Sequence, residues 1–127
     1  MNSAKWIALG AGLGALTVVF GAFGAHALKE RLSPEQLAWW ETAVQYQAYH
    51  SFALILFGLF RERRAGGGFA GGCFLVGTAI FSGTLYAMAL GAPRWFGAIT
   101  PIGGTALIVG WLAFALAAVR SAPRTSS

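Results

Sequence analysis

The feature that most constrains this chain is where its charges are missing. Nine Lys and Arg residues and four glutamates, with no aspartate, leave four uncharged stretches at 6–28, 42–60, 65–93 and 95–119. A charge at the centre of a bilayer costs roughly 2.5 to 3.5 kcal/mol, and a crossing helix needs about 20 apolar residues, so each stretch accommodates one crossing. Composition agrees: 57% of the chain is apolar, 10% is charged and the mean hydropathy is +0.63, whereas soluble domains carry about 25% charge. These values exclude a disordered chain, a collagen-like repeat and a coiled coil, and a single cysteine, Cys73, excludes a disulfide scaffold. The predicted fold is an all-α membrane protein with four transmembrane helices. One domain, 1–120, holds spans at about 6–27, 43–60, 69–91 and 101–119, and a polar tail follows at 121–127.

Cations in the short loops set the expected orientation. With four crossings, Lys5, Arg61, Arg63, Arg64, Arg120 and Arg124 share one side, and Lys29, Arg31 and Arg94 share the other. The bias places both termini in the cytoplasm. Glu30, Glu35 and Glu41 cancel the three outer cations, so the whole +5 lies on the inner face. This pattern orients a protein in a membrane and is not a nucleic-acid patch; the cluster Arg61 to Arg64 reads first as a topology anchor. Ala25-His26-Ala27 after an apolar run also resembles a signal-peptide cleavage site, but the glycine-rich run is longer than a usual signal core.

Small residues mark where helices can approach. Gly10 and Gly14 are four apart in the first span, Gly21 and Gly24 follow, and Ala79, Gly83, Ala87 and Gly91 form a stripe at intervals of four in the third. Ser33, Pro34 and Gln36 predict a capping box that starts the second helix ahead of the membrane, with Trp39 and Trp40 at headgroup depth. Thr100 and Pro101 predict a capped start for the fourth helix.

Polar side chains inside the spans are where function is sought, because each needs a partner where water is absent. His26, Tyr46, Gln47, His50, Ser82 and Tyr86 all fall in the outer half, while Phe52, Leu54, Ile55, Leu56 and Phe57 are expected to seal the cytoplasmic half. Two readings stand side by side. The cluster either hydrogen-bonds internally and fixes helix packing, or it lines a pocket open to the outer face. In the second case Thr100 and the amides of Ile102, Gly103 and Gly104 would offer an anion or carbonyl a helix N-terminus. Metal or haem ligation by His26 and His50 is disfavoured, since their depths differ by about one and a half turns and no carboxylate completes a site. No cofactor is expected.

Four blocks carry a family resemblance: Phe20-Gly21-Ala22-Phe23-Gly24-Ala25-His26-Ala27-Leu28; Thr42-Ala43-Val44-Gln45-Tyr46-Gln47 with His50; Phe81-Ser82-Gly83-Thr84-Leu85-Tyr86; and Ile99-Thr100-Pro101-Ile102-Gly103-Gly104 with Gly110-Trp111. Together they resemble the YgdD/YwdK-type family of small bacterial inner-membrane proteins, over nearly the whole chain. The resemblance implies a four-span protein of the bacterial inner membrane carrying a domain of unknown function, and it transfers no catalytic residue.

Catalysis is the weakest class, because no intramembrane acid, His-Glu-x-x-His, Gly-x-Ser-x-Gly or phosphate-cradling loop is present. The reading is therefore a small accessory or ligand-binding module, and the alternative is solute or ion permeation through an oligomer. Its expected partners are the lipid bilayer and either further copies of itself or a larger membrane complex.

Overall fold

Each uncharged stretch folds as a helix. A computed structural model describes residues 1–121; the expected polar tail beyond Ser121 lies outside the described residues. Four long helices follow one another: α1 (Ser3–Phe23), α2 (Pro34–Arg63), α3 (Phe69–Ala89) and α4 (Thr100–Arg120). A π-helical turn, Gly24–Leu28, extends α1, and a 3-10 turn, Arg94–Ala98, leads into α4. With these turns included, α1, α3 and α4 are long and apolar enough to cross a membrane. The 30-residue α2 is the less apolar one.

Local chemistry explains the helix starts. Asn2 caps α1 by accepting from the Lys5 amide. At α2 the Ser33 hydroxyl accepts from the Gln36 amide at 3.1 Å while the Gln36 side chain accepts from the Ser33 amide at 3.0 Å, so the capping box is present, with Pro34 in the first turn. The fourth helix starts differently from the sequence expectation. Ile99 already has helical dihedrals, no side chain caps α4, and the Thr100 hydroxyl pairs with Thr84 at 2.7 Å and with the Phe96 carbonyl at 3.3 Å. The 3-10 turn supplies carbonyls ahead of α4, so the cap is unnecessary and Thr100 instead ties α4 to α3.

Packing runs between consecutive helices, α1 on α2, α2 on α3 and α3 on α4. The middle position of α2 shows in its burial: nine of its residues are buried, against two in α1. The α1/α2 contact is made through glycines of both helices. A Cβ on Gly10 would stand 2.7 Å from the Ser51 carbonyl oxygen, and one on Gly58 would stand 2.6 Å from Ile7. The α3/α4 contact is as tight, since a Cβ on Gly77 would meet Leu107 at 2.7 Å and one on Gly103 would collide with the Phe81 amide nitrogen.

The anticipated stripe on α3 is not part of these contacts. Ala79 and Gly83 are exposed, Ala87 is half-buried, and a Cβ on Gly83 would meet nothing within 4 Å. Gly91 lies past the end of the helix, in a turn at φ +112 that glycine adopts without strain. The face of α3 that meets α4 includes Gly77 and Phe81, and Ala79 and Gly83 lie outside it. On α1, a Cβ on Gly14 or Gly21 would make only ordinary contacts with Ser51 or Val44, whereas Gly24 lies so close to the Trp40 indole that a Cβ would be 2.6 Å away.

Two apolar clusters fill the interior. At the end carrying Arg61 and Arg120, Trp6, Ala53, Leu54, Phe57, Ala70 and Phe74 pack together. Of the five α2 residues expected to seal this half, only Leu54 and Phe57 are buried; Phe52 and Leu56 are 65% and 53% exposed, because they share the side of the helix that faces away from Leu54. At the other end Leu28, Trp40 and Ala89 pack with Phe20 and Tyr86. Trp40 is therefore an interior residue and not a surface anchor: it is 4% exposed and its indole N–H donates to the Phe20 carbonyl at 2.8 Å. Trp39 keeps the surface role, beneath the Arg94 guanidinium at 5.7 Å.

Candidate functional site

Polar side chains of α2 divide between its two flanks. Towards α1 and α3, the Gln47 amide donates to the Leu13 carbonyl at 3.2 Å and its oxygen accepts from the Tyr86 hydroxyl at 2.7 Å, so one side chain links three helices. Ser82 donates from α3 to the Ala43 carbonyl at 2.8 Å. These bonds, like that of Trp40, end largely on main-chain carbonyls, which are always available where water is absent. Towards α4, the His50 ring lies between the Tyr46 carbonyl, 2.6 Å from Nδ1, and the Trp111 indole nitrogen, 3.0 Å from Nε2.

The partners of His50 fix its chemical form. An indole N–H only donates, so Nε2 accepts; Nδ1 then carries the proton and donates to the Tyr46 carbonyl. The imidazole is neutral with both nitrogens used. A metal or haem iron would have to displace Trp111 to reach the Nε2 lone pair. His26 is not brought to it: His26 is exposed on the π-helical turn at the far end of α1.

The cluster residues do not line one common cavity: they divide between two lateral grooves, one on each flank of the central pair. The first, between α1 and α3, has a volume of about 220 Å³ and is lined by Leu16, Phe20, Gln47, Ser82, Gly83 and Tyr86, among others. The second, between α2 and α4 over α3, measures about 500 Å³ and is walled by Tyr46, Tyr49, His50, Phe81, Ile108 and Trp111. Gly104 lies on the wall of this groove and Gly103 does not. One residue earlier on the helix, Gly103 is buried against α3, and the Ile102 amide already donates to the Ile99 carbonyl. The helix start is thus spent on packing and not open to an anion.

Within the larger groove the Tyr46 ring stacks on His50 at an interplanar angle of 16° and meets Phe81 at 4.6 Å, while Trp111 meets Phe74 at 4.9 Å. The Tyr49 hydroxyl accepts from Gln45 at 2.7 Å. Trp111, a wall residue that holds His50, was missed as a site residue because its partner is 61 residues away in the chain. No local spacing reports such a pair.

Four helices stitched by polar side chains, three of them long and apolar enough to cross a membrane, with aromatic grooves on their flanks, define a small helical membrane protein. Residues 20–104 match the family model described as Protein of unknown function (DUF423), and the chain belongs to that family. It is 42% identical over 118 residues to a UPF0382 membrane protein of Staphylococcus epidermidis, covering 92% of this chain and 97% of that one. It is 38% identical to the UPF0382 membrane protein YwdK of Bacillus subtilis, over 91% of this chain and 96% of the relative. It is 36% identical to the UPF0382 inner membrane protein YgdD of Escherichia coli, over 84% and 83%. No solved structure matches. The matched region opens on the Phe20 block and closes on Gly104, so it spans the four blocks that carried the resemblance, with Gly110-Trp111 beyond its end.

Proposed function

We propose that this protein is a small ligand-binding or accessory module of the inner membrane that takes an elongated apolar ligand, bearing one hydrogen-bonding group, from within the bilayer into the groove between α2 and α4. The observation that carries this reading is the groove itself. At about 500 Å³ it lies within the range of roughly 300 to 1,000 Å³ typical of small-molecule sites, and like them it is mainly aromatic and apolar with a few polar groups. His50 and Trp111 satisfy each other, so they serve as rigid wall, and the 38% exposed Tyr46 is the side chain left to contact the ligand. Gly104 provides the test. Gly104→Trp should fill the groove and keep the fold, since a Cβ there meets only the Phe81 ring at 3.5 Å. Native mass spectrometry should find a bound small molecule on the unaltered protein and lose it on the variant; the same complement on both would reject the groove as the site.

The reading includes four crossings with both termini in the cytoplasm. Its support is the position of α2, packed between α1 and α3 for most of its length, together with the cation bias between the two ends. In a Cys73→Ala background, single cysteines at Ser33 and Arg94 should react with an impermeant thiol reagent on intact cells. One at Arg63 should react only after permeabilisation. The reverse pattern would invert the orientation, and labelling at Ser33 and Arg63 but not at Arg94 on intact cells would remove α2 as a crossing.

A further inference from the structure

The basic end of the molecule holds a third groove that the ligand reading does not use. It has a volume of about 310 Å³ and lies between α2, the first turn of α3 and the last turns of α4, lined by Phe57, Phe69, Leu116, Ala117 and Arg120 among others. It is separated along α4 from the larger groove by Phe114, which packs on Phe57 and Phe74. Its walls are apolar and its rim is cationic. Arg61 donates to the carbonyl of Gly67, which also lines the groove, and Arg64 donates to the carbonyl of Ser121, next to Arg120.

These bonds cap chain ends, but they leave the charge unanswered. A guanidinium has five N–H donors and a neutral carbonyl accepts one of those used here, removing no charge. The buried Nε–H of Arg61 has no partner among the described residues. Glu62 is the one carboxylate side chain at this end, and the salt bridge among the described residues, Arg94 with Glu35, is at the opposite end. The amides of the first turn of α3, a 21-residue helix, open on the same loop and add partial positive charge.

We propose that this groove binds an anionic phospholipid, with the phosphate on Arg61, Arg64 and Arg120 and one acyl chain along Phe69, Leu116 and Ala117. Charge complementarity at the rim and its continuity with an apolar slot together select this occupant. A free phosphate has no use for the slot, and an uncharged lipid has none for the arginines. Phe69 and Leu116, 67% and 49% exposed, present the slot sideways to the bilayer, at the depth where basic pockets between helices meet lipid headgroups. The proposal needs only that this end reaches a membrane surface, and holds in either orientation and whatever the larger groove binds.

The test uses the full chain in a neutral detergent, with phosphatidylglycerol or phosphatidylcholine added and bound lipid counted by native mass spectrometry. Phosphatidylglycerol should be retained in clear preference, and Arg61→Gln with Arg120→Gln should weaken it roughly fivefold for each arginine lost. Arg63→Gln, an exposed cation that lines no groove, should change little. Ala117→Phe keeps every charge and blocks the slot, so it should also release the lipid; it decides the matter if the arginine variants fold poorly. Equal retention of the two lipids, equal loss in Arg63→Gln, or displacement by millimolar inorganic phosphate with no effect of Ala117→Phe would overturn the proposal.

Discussion

Gly103→Ala should destabilise the protein severely, while the larger change Gly83→Leu should leave the folded chain almost intact. At Gly103 the added methyl collides with the main-chain nitrogen of Phe81, and it also stands 2.9 Å from the Gly77 carbonyl oxygen. Backbone cannot rotate aside as a side-chain tip can, so α3 and α4 must separate along the contact they share. Overpacking of this kind costs about 1 to 3 kcal/mol, a large fraction of a stability that is itself only about 5 to 15 kcal/mol. A Cβ on Gly83 meets nothing within 4 Å on the open wall of the smaller groove, so a leucine there displaces no backbone, and its cost should stay within about 0.5 kcal/mol. Thermal unfolding of the two variants in detergent, followed by fluorescence-detected size exclusion, separates the outcomes. Equal loss of folded protein would mean that α3 meets its neighbour through the Ala79 and Gly83 face after all.

The second large effect is expected where Gln47 joins three helices. Gln47→Leu should destabilise by about 1 to 3 kcal/mol, because it leaves the Tyr86 hydroxyl in the apolar interior without its acceptor. Tyr86→Phe leaves the Gln47 oxygen in the same position. The double variant removes both needs at once, so its loss should be smaller than the sum of the two single losses. Coupling energies of hydrogen bonds between membrane helices average about 0.6 kcal/mol and reach about 1.7, and this pair, at 2.7 Å in the interior, should lie in the upper part of that range. Unfolding by graded denaturant gives the cycle directly. Strict additivity would show that the two side chains do not depend on each other.

Helix number and most helix limits were legible in the sequence because they depend on single residues. A lone charge marks where a crossing stops, and Ser33, Pro34 and Gln36 carry a start signal complete in four positions. Contact faces were less legible, since they depend on which helix comes to lie alongside. The interval of four in Ala79, Gly83 and Ala87 says that a close approach is sterically open there; Gly77 and Gly103, without such a pattern, are where it occurs. Trp40 illustrates the same limit. An aromatic near a helix entrance suits the headgroup region, yet the absence of a side chain at Gly24 admits its indole to the interior. The cluster residues were found from the expense of polar groups in hydrocarbon, but their separation onto two flanks of α2 required the partners, Leu13 and Tyr86 on one side and Trp111 on the other.

The claim that the groove between α2 and α4 holds a ligand is tested most directly by asking what touches it in the native membrane. A photo-reactive benzoylphenylalanine placed at Ile108, on the groove wall, can be compared with one at Leu112, a turn further along α4 and 66% exposed. After irradiation of whole cells and purification, intact-mass analysis should show one discrete added mass at position 108 and a spread of bulk membrane lipids at position 112. The same spread at both positions would contradict the account, since the groove would then be only another part of the lipid-facing surface.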